Sequence, residues 1–393
     1  MKLEIVNHNG SVVEPANGSM LAPSSGDGNR VARSSTNGHI LAPGSKEASA
    51  AAKPLRGLAV VGLGYWGPNW IRNFSTLQCA QRLVACDLNS ERLSHLKELY
   101  PNLETSQKFE EVLQDPDIEG VVIATPVSTH YRMAKQCLET DKAVVVEKPL
   151  ATSRTEAADL VRVARLRDRV LMVGHTFEYS APVLKMRDLI TSGEIGEVLY
   201  ISSVRANLGL FQHDVNVTWD LAVHDISIIL MLLGQMPESV SCQGQSHFRR
   251  EVEDVALITL HLPHNVIAFV HVSWLDPNKI RRTTIVGSRQ MLVYDDTALQ
   301  EKIRIYDRGV TVRPYYDNYG EFQYAYRYGD IHIPRIEEVE PIKRECEHFV
   351  DCIRNNLTPA TDGLNGLRVV AVLEAAQKSL RSGGASIPLG EGR

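Results

Sequence analysis

In the first half of the chain, short and almost wholly apolar runs alternate with stretches of helical period. Leu58 to Val61, Arg82 to Cys86, Gly120 to Ala124, Ala143 to Glu147 and Val170 to Val173 have the length and β-branched content of strands buried on both faces. The helices between them are predicted through about Phe74, over Asn89 to Leu99, Phe109 to Gln114, Ser128 to Glu139 and Ser153 to Arg167. Such alternation predicts an α/β domain with a doubly wound parallel sheet and right-handed crossovers. After one more helix, about Ala181 to Ile190, the pattern changes. Glu197 to Ala206, Ser239 to His247, Asp254 to Leu262, Val266 to Ser273 and Arg281 to Ile285 read as long strands, with turn residues such as Pro263-His264-Asn265 between them. They predict an α+β domain on a large, mainly antiparallel, open-faced sheet, whose bare side suits dimerisation. Helices over Pro341 to Asn355 and Leu364 to Ser382 close the chain, the latter expected to pack back on the first domain.

The residues up to 53 break the pattern. They are rich in Gly, Ser, Asn, Ala and Pro, too poor in apolar surface to offset the entropy of ordering, and are expected to be a disordered tail. Within them Asn17 to Pro23 recurs approximately as Asn37 to Pro43, which low-complexity drift explains more simply than a docking motif. The 393 residues, 44% hydrophobic, allow two cored domains. A net charge of -5 without long like-charge blocks leaves no electrostatic footprint for nucleic acid or an anionic membrane. Six scattered cysteines without a Cys-x-x-Cys pair read as buried free thiols. Met1 to Gly10 lacks the apolar run of a signal peptide, and the longest apolar run, Ile226 to Leu233, is too short to span a bilayer. A soluble cytoplasmic protein is expected.

Chemistry enters at strand ends. The first strand runs directly into Gly62-Leu63-Gly64-Tyr65-Trp66-Gly67 and then a helix, the dinucleotide fingerprint in the context it needs. Gly62 permits the tight turn, Gly64 lets the backbone approach a pyrophosphate, and Gly67 allows close helix packing. The helix N-terminus offers amide donors to the phosphates. Asp87 ends the second strand, where a carboxylate accepts from the adenosine ribose hydroxyls and repels a 2′-phosphate; its other reading is an N-cap for the next helix. NAD is therefore expected over NADP, although Arg92 keeps the second open. Thr125 and Pro126 stand on the same sheet edge and are expected to line the cofactor's central part. Tyr65, Trp66, His130, Glu147 and Lys148 complete the expected cofactor-binding set. Lys148 itself follows the strand through Val144-Val145-Val146, which stops at Pro149. Later, Asp220 and His224 stand four apart on a predicted helix. At that spacing they share a face, so the carboxylate can orient or charge-stabilise the imidazole, with Asp225 roughly 100° away. No metal site is expected.

In this order Gly62-x-Gly64-x-x-Gly67, Glu147-Lys148-Pro149 and Asp220 with His224 resemble the glucose-fructose oxidoreductase, inositol dehydrogenase and rhizopine catabolism family, Gfo/Idh/MocA. The resemblance covers the chain from Leu58 to its end. It implies an N-terminal Rossmann domain over 54–175, a substrate-binding and oligomerisation domain over 176–362, and a C-terminal helix and tail over 363–393. It further implies an NAD-dependent oxidoreductase that interconverts a secondary alcohol and a ketone on a sugar, as a homodimer or homotetramer. Lys148, after a peptide bond to Pro149 expected to be cis, would stabilise the developing alkoxide. His224, held by Asp220, would exchange the proton. The runs Leu208 to Asn216 and Tyr328 to Pro334 resemble members acting on nucleotide-linked sugars, such as a UDP-N-acetylglucosamine derivative oxidised at C3. His175, Arg205, Asn207 and Asn216 would then join Asp220 and His224 in binding substrate. A free-sugar or inositol dehydrogenase is the alternative, with Val217-Thr218-Trp219 standing where such members more commonly have a glycine-rich approach to the motif aspartate. A non-catalytic NAD-sensing regulator is the reading from another class; the intact Lys148, Asp220 and His224 oppose it.

Overall fold

The computed structural model describes residues 53–390 except 210, 213–214, 312–324 and 338. The expected tail, save its last residue, and its repeated heptapeptide lie outside the described residues. The apolar runs become β1 (Leu55–Val61), β2 (Ala80–Cys86), β3 (Glu104–Ser106), β4 (Ile118–Ile123), β5 (Ala143–Glu147) and β6 (Leu171–Gly174). All pair in parallel, in the order β3-β2-β1-β4-β5-β6. Helices α1 (Gly67–Leu77), α2 (Ser90–Leu99), α3 (Phe109–Gln114), α4 (Val127–Glu139) and α5 (Arg154–Arg167) form the crossovers. β5 is buried along its whole length because Val144 and Val146 pack into one apolar cluster and Val145 into the other. That is why its sequence shows no alternation. β3 is short, with two of its three residues exposed, and left no apolar signal. The strand order reverses between β1 and β4, which opens a crevice at their C-terminal ends.

The chain leaves this sheet through a single 3-10 turn, Thr176–Tyr179, and α6 (Ala181–Thr191). It then builds β7 (Val198–Ala206), a π-helical turn at Thr218–Ala222, α7 (Val223–Leu233), β8 (Ser239–Gln245), β9 (Val255–Leu262), β10 (Val266–Ser273), β11 (Ile280–Gly287), β12 (Met291–Asp295), β13 (Ile303–Thr311) and β14 (Ala325–His332). Together with a two-residue strand at Ile387–Pro388, these form a sheet of nine strands among the described residues. Only β7 and β10 pair in parallel; the other ladders are antiparallel. Alternation is clean. Ala256, Ile258 and Leu260 of β9 and Ala268, Val270 and Val272 of β10 join the core with residues of α7, whereas Tyr200 and Leu257 remain exposed on the other face. The open-faced sheet is as expected.

In α8 (Pro341–Asn355), Ile342, Cys346, Phe349, Val350 and Cys352 fill the cluster that holds Trp70, Ile71 and Phe74 of α1. A helix placed by sequence in the second domain thus completes the core of the first. Between α8 and α9 (Gly363–Arg381), Thr361 extends β6: the Val173 N–H donates to its carbonyl at 2.8 Å, and its hydroxyl donates to the Val173 carbonyl at 2.8 Å. α9 packs on α5 and β6 and also on β8 and α7. All six cysteines are free and buried.

Candidate active site

The glycine loop takes the form its residues require. Gly62 has a φ of +90°, and a Cβ there would stand 2.6 Å from the Ala124 carbonyl oxygen, while a Cβ on Gly67 would stand 2.0 Å from the Gly62 carbonyl oxygen. Neither position tolerates a side chain. At Gly64, by contrast, a Cβ would meet no atom within 4 Å. It opens on space beside the N-terminus of α1, whose first turn has no side-chain cap. An uncapped helix start beside a bare backbone fits a diphosphate. Asp87 accepts the Leu63 N–H at 2.6 Å and the Asn89 N–H at 2.8 Å, and Arg92 lies 3.5 Å from it. It does not cap α2; Asn89 does, accepting from Glu91 and Arg92. The carboxylate thus holds the glycine loop from the end of β2, the position from which a ribose is read.

Other expected cofactor residues divide by exposure. Tyr65 is exposed and stands edge-on to Trp66. Thr125 shares a hydrogen with Thr129 at 2.6 Å, and Pro126 precedes α4. His130 is buried and lies between two acceptors, 2.8 Å from the Pro149 carbonyl and 2.9 Å from the Thr125 carbonyl. Its ring braces the turn after β4 against the turn after β5. Glu147 accepts from the Trp70 indole at 2.7 Å. Burial, with no cation bonded to it among the described residues, raises its pKa.

Lys148 follows β5 and precedes a cis peptide bond to Pro149. Its side chain is 14% exposed, and its ammonium donates to the Asp220 carbonyl at 3.0 Å and to Asp220 Oδ1 at 3.4 Å. The other carboxylate oxygen, Oδ2, accepts from the Trp274 indole at 3.1 Å. Asp220 sits inside the π-helical turn, so the i, i+4 facing expected of an α-helix does not apply. Among the described residues its carboxylate bonds Lys148 and Trp274 rather than His224. Asn216 secures the turn by accepting from the Thr218 hydroxyl at 2.5 Å and the Trp219 N–H at 3.3 Å, while its amide donates to Glu253 and Gln377. Expected in the substrate set, it is a structural anchor here.

His224 is positioned by an aromatic residue that sequence reasoning missed. The Phe177 ring stands edge-on to the imidazole at 4.9 Å and carries the Arg205 guanidinium at 4.6 Å and that of Arg281 at 5.7 Å. Arg205 is itself spent: it donates to Asp225 at 2.7 and 3.2 Å, deep in the core. Expected in the substrate set, Arg205 is held here in that buried ion pair. Among the described residues, His224 Nδ1 and both ring nitrogens of His175 are buried without a hydrogen-bond partner. Burial, then the positive Lys148, hold His224 well below the usual histidine range and push His175 down to about 3. Both imidazoles are neutral at pH 7. Unpartnered polar atoms of this kind are rare in cores and fit a polar ligand. Asn207 borders the same region, with its amide beside Gly209 and Trp274. The helical signal around Asp220 hid Trp274 and Phe177, which lie elsewhere in sequence and carry no motif.

Comparison with known proteins places the chain in a family. Residues 56–175 match the model of an oxidoreductase family with an NAD-binding Rossmann fold, and residues 183–293 match the GFO/IDH/MocA C-terminal domain. The chain belongs to the Gfo/Idh/MocA oxidoreductase family. Its cofactor is NAD. Among curated Gfo/Idh/MocA relatives, the scyllo-inositol 2-dehydrogenase (NAD(+)) of Bacillus subtilis is 26% identical over 83% of this chain and 94% of its own length. The myo-inositol 2-dehydrogenase of Thermotoga maritima is 22% identical over 82% and 96%. The solved UDP-N-acetylglucosamine 3-dehydrogenase of Acidithiobacillus ferrooxidans has the same fold, with a TM-score of 0.68 and 21% identity over 83% of this chain and 98% of that one. No helix among the described residues is long and apolar enough to cross a membrane.

Proposed function

We propose that this oxidoreductase interconverts a secondary alcohol and a ketone on a sugar, with a nucleotide-linked sugar, such as a UDP-N-acetylglucosamine derivative oxidised at C3, as substrate. The observation that carries the reading is the convergence of Lys148, Asp220, His175 and His224 on the sheet edge that also holds the glycine loop. NAD, when bound, supplies the hydride acceptor. The chain's own residues then have one oxygen to steady and one proton to move. The Lys148 ammonium, held by Asp220, steadies the developing alkoxide. The neutral His224 imidazole takes the proton, and its Phe177 contact limits the ring's rotation. His175 offers a second unpartnered imidazole to a sugar hydroxyl.

Replacing Lys148 with Met is expected to lower kcat by at least about a hundredfold. Full turnover by that variant on an identified substrate would refute the assignment. The substrate class is tested by comparing turnover on UDP-sugars with that on free hexoses and cyclitols. An inositol dehydrogenase is the second reading, supported by the Bacillus relative's match over nearly its whole length. The exposed face of the second sheet, with Tyr200 and Leu257, supports a homodimer or homotetramer.

A further inference from the structure

The catalytic carboxylate continues outward into a line of aromatic rings. Trp274, 1% exposed, donates its indole hydrogen to Asp220. Its ring centroid lies 5.3 Å from that of Phe211, 37% exposed, and Phe211 lies 5.5 Å from Phe248, 73% exposed. The rise in exposure from one ring to the next shows that the line leads from the reacting centre to solvent. It is held in place by the backbone. The Asp254 carboxylate accepts the His247 and Phe248 N–H groups at 2.7 and 3.2 Å and bonds the His247 ring at 2.7 Å. The Asp254 carbonyl accepts the Trp274 N–H at 2.9 Å. On the other side Gly209 donates to the Trp274 carbonyl at 3.0 Å, and a Cβ at Gly209 would stand 3.1 Å from the indole. Two exposed arginines, Arg249 and Arg250, follow Phe248 in the same turn.

We propose that Phe211 and Phe248, backed by Trp274, are a stacking subsite for the nucleobase of a nucleotide-linked sugar, with Arg249 and Arg250 beside its diphosphate. The inference rests on the nucleotide-sugar reading and adds where the non-reacting half of the substrate binds. A lone hexose or cyclitol held at Lys148 would leave the two outer rings bare, and their π-faces suit any base. The arginines that follow Phe248 in sequence carry guanidinium groups of the kind that suit phosphate oxygens.

The test uses the NAD-loaded protein and two probes, uridine diphosphate and inorganic pyrophosphate, titrated by calorimetry. The wild type is expected to bind uridine diphosphate about tenfold or more tightly than pyrophosphate, Phe248→Ala to erase that preference, and Phe248→Tyr to keep it. Phe248 is exposed, so its replacement leaves the fold intact. Equal affinity of the wild type for the two probes, or an undiminished preference in Phe248→Ala and Phe211→Leu, overturns the subsite. A change of oligomeric state in Phe248→Ala by sedimentation, with the preference unchanged, also overturns it and gives the ring to a second copy. Turnover of UDP-N-acetylglucosamine is read in the same samples. Turnover that does not depend on Phe248 sinks the subsite alone, whereas turnover of cyclitols only, with no uridine diphosphate bound, sinks the nucleotide-sugar reading as well.

Discussion

At the scale of single residues, burial decides which groups carry charge. His224 must be neutral to accept a proton, and its desolvated ring beside Lys148, Arg205 and Arg281 keeps it so. The acid limb of kcat/KM for alcohol oxidation is therefore expected below pH 6.5, and His224→Asn is expected to remove that limb and lower the rate by about 10² to 10⁴. A pH profile of the two proteins decides it. Glu178 works in the opposite sense. Burial raises its pKa to about 8, and Asn365 and Ser227 only partly oppose the shift. From about pH 4.5 to 8 the folded chain holds a proton that the unfolded chain has released. The associated stability is fully present below the unfolded pKa and is lost as pH rises through about 8. Glu345 and Glu147 are shifted the same way. Glu178→Gln should therefore flatten, without abolishing, the fall of Tm between pH 5 and 8. His175 acts on the acid side, where stability is lost as pH falls from 6.5 towards 3.

At the scale of elements, the loop between β1 and α1 and the π-helical turn show two ways in which backbone serves a site. Gly67 is required by packing, since its Cβ would enter the Gly62 carbonyl, whereas Gly64 faces open space. Gly67→Ala is expected to lower both Tm and NAD affinity. Gly64→Ala should weaken NAD binding about tenfold or more while leaving Tm nearly unchanged, because only the approaching diphosphate meets the new methyl. Thermal denaturation with and without NAD separates the two. The π-helical turn inserts Asp220 between Lys148 and Trp274, an arrangement that a continuous α-helix from Thr218 would not produce. The 3-10 turn after β6 does similar work with consecutive side chains. Thr176 bonds Glu345, Phe177 packs on His224, and Glu178 meets Asn365.

At the scale of the whole molecule, the chain crosses into the second sheet and returns, so each apolar core draws residues from one of the last two helices. Phe349 of α8 is fully buried beside Trp70 and Phe74, far from them in sequence. Phe349→Ala is expected to cost about 3–5 kcal/mol, and the loss should appear in the unfolding of the nucleotide-binding half, read as weakened NAD protection in a thermal shift. Truncation before α8 would expose that same apolar face. α9 touches both sheets, so it joins the halves that meet at Lys148.

The sequence by itself determined every strand of the first sheet but β3, because strands buried on both faces must be continuously apolar, whereas β3 is short and mostly exposed. It also determined the glycine loop and the lysine at the end of β5, because those chemistries need particular residues at short spacing. The clean alternation of β9 and β10 likewise announced a sheet with one bare face. What only the tertiary structure decided involves groups far apart along the chain. Asp220 reaches Lys148 instead of its helical neighbour because the backbone widens into a π-turn and Trp274 claims its second oxygen. Arg205 and Asn216, expected in the substrate set, are held by Asp225, Glu253 and Gln377. Phe177 and Trp274 enter the site with no local pattern to mark them, since an aromatic residue in a strand or turn has the same sequence signature whether it packs a core or borders a catalytic imidazole.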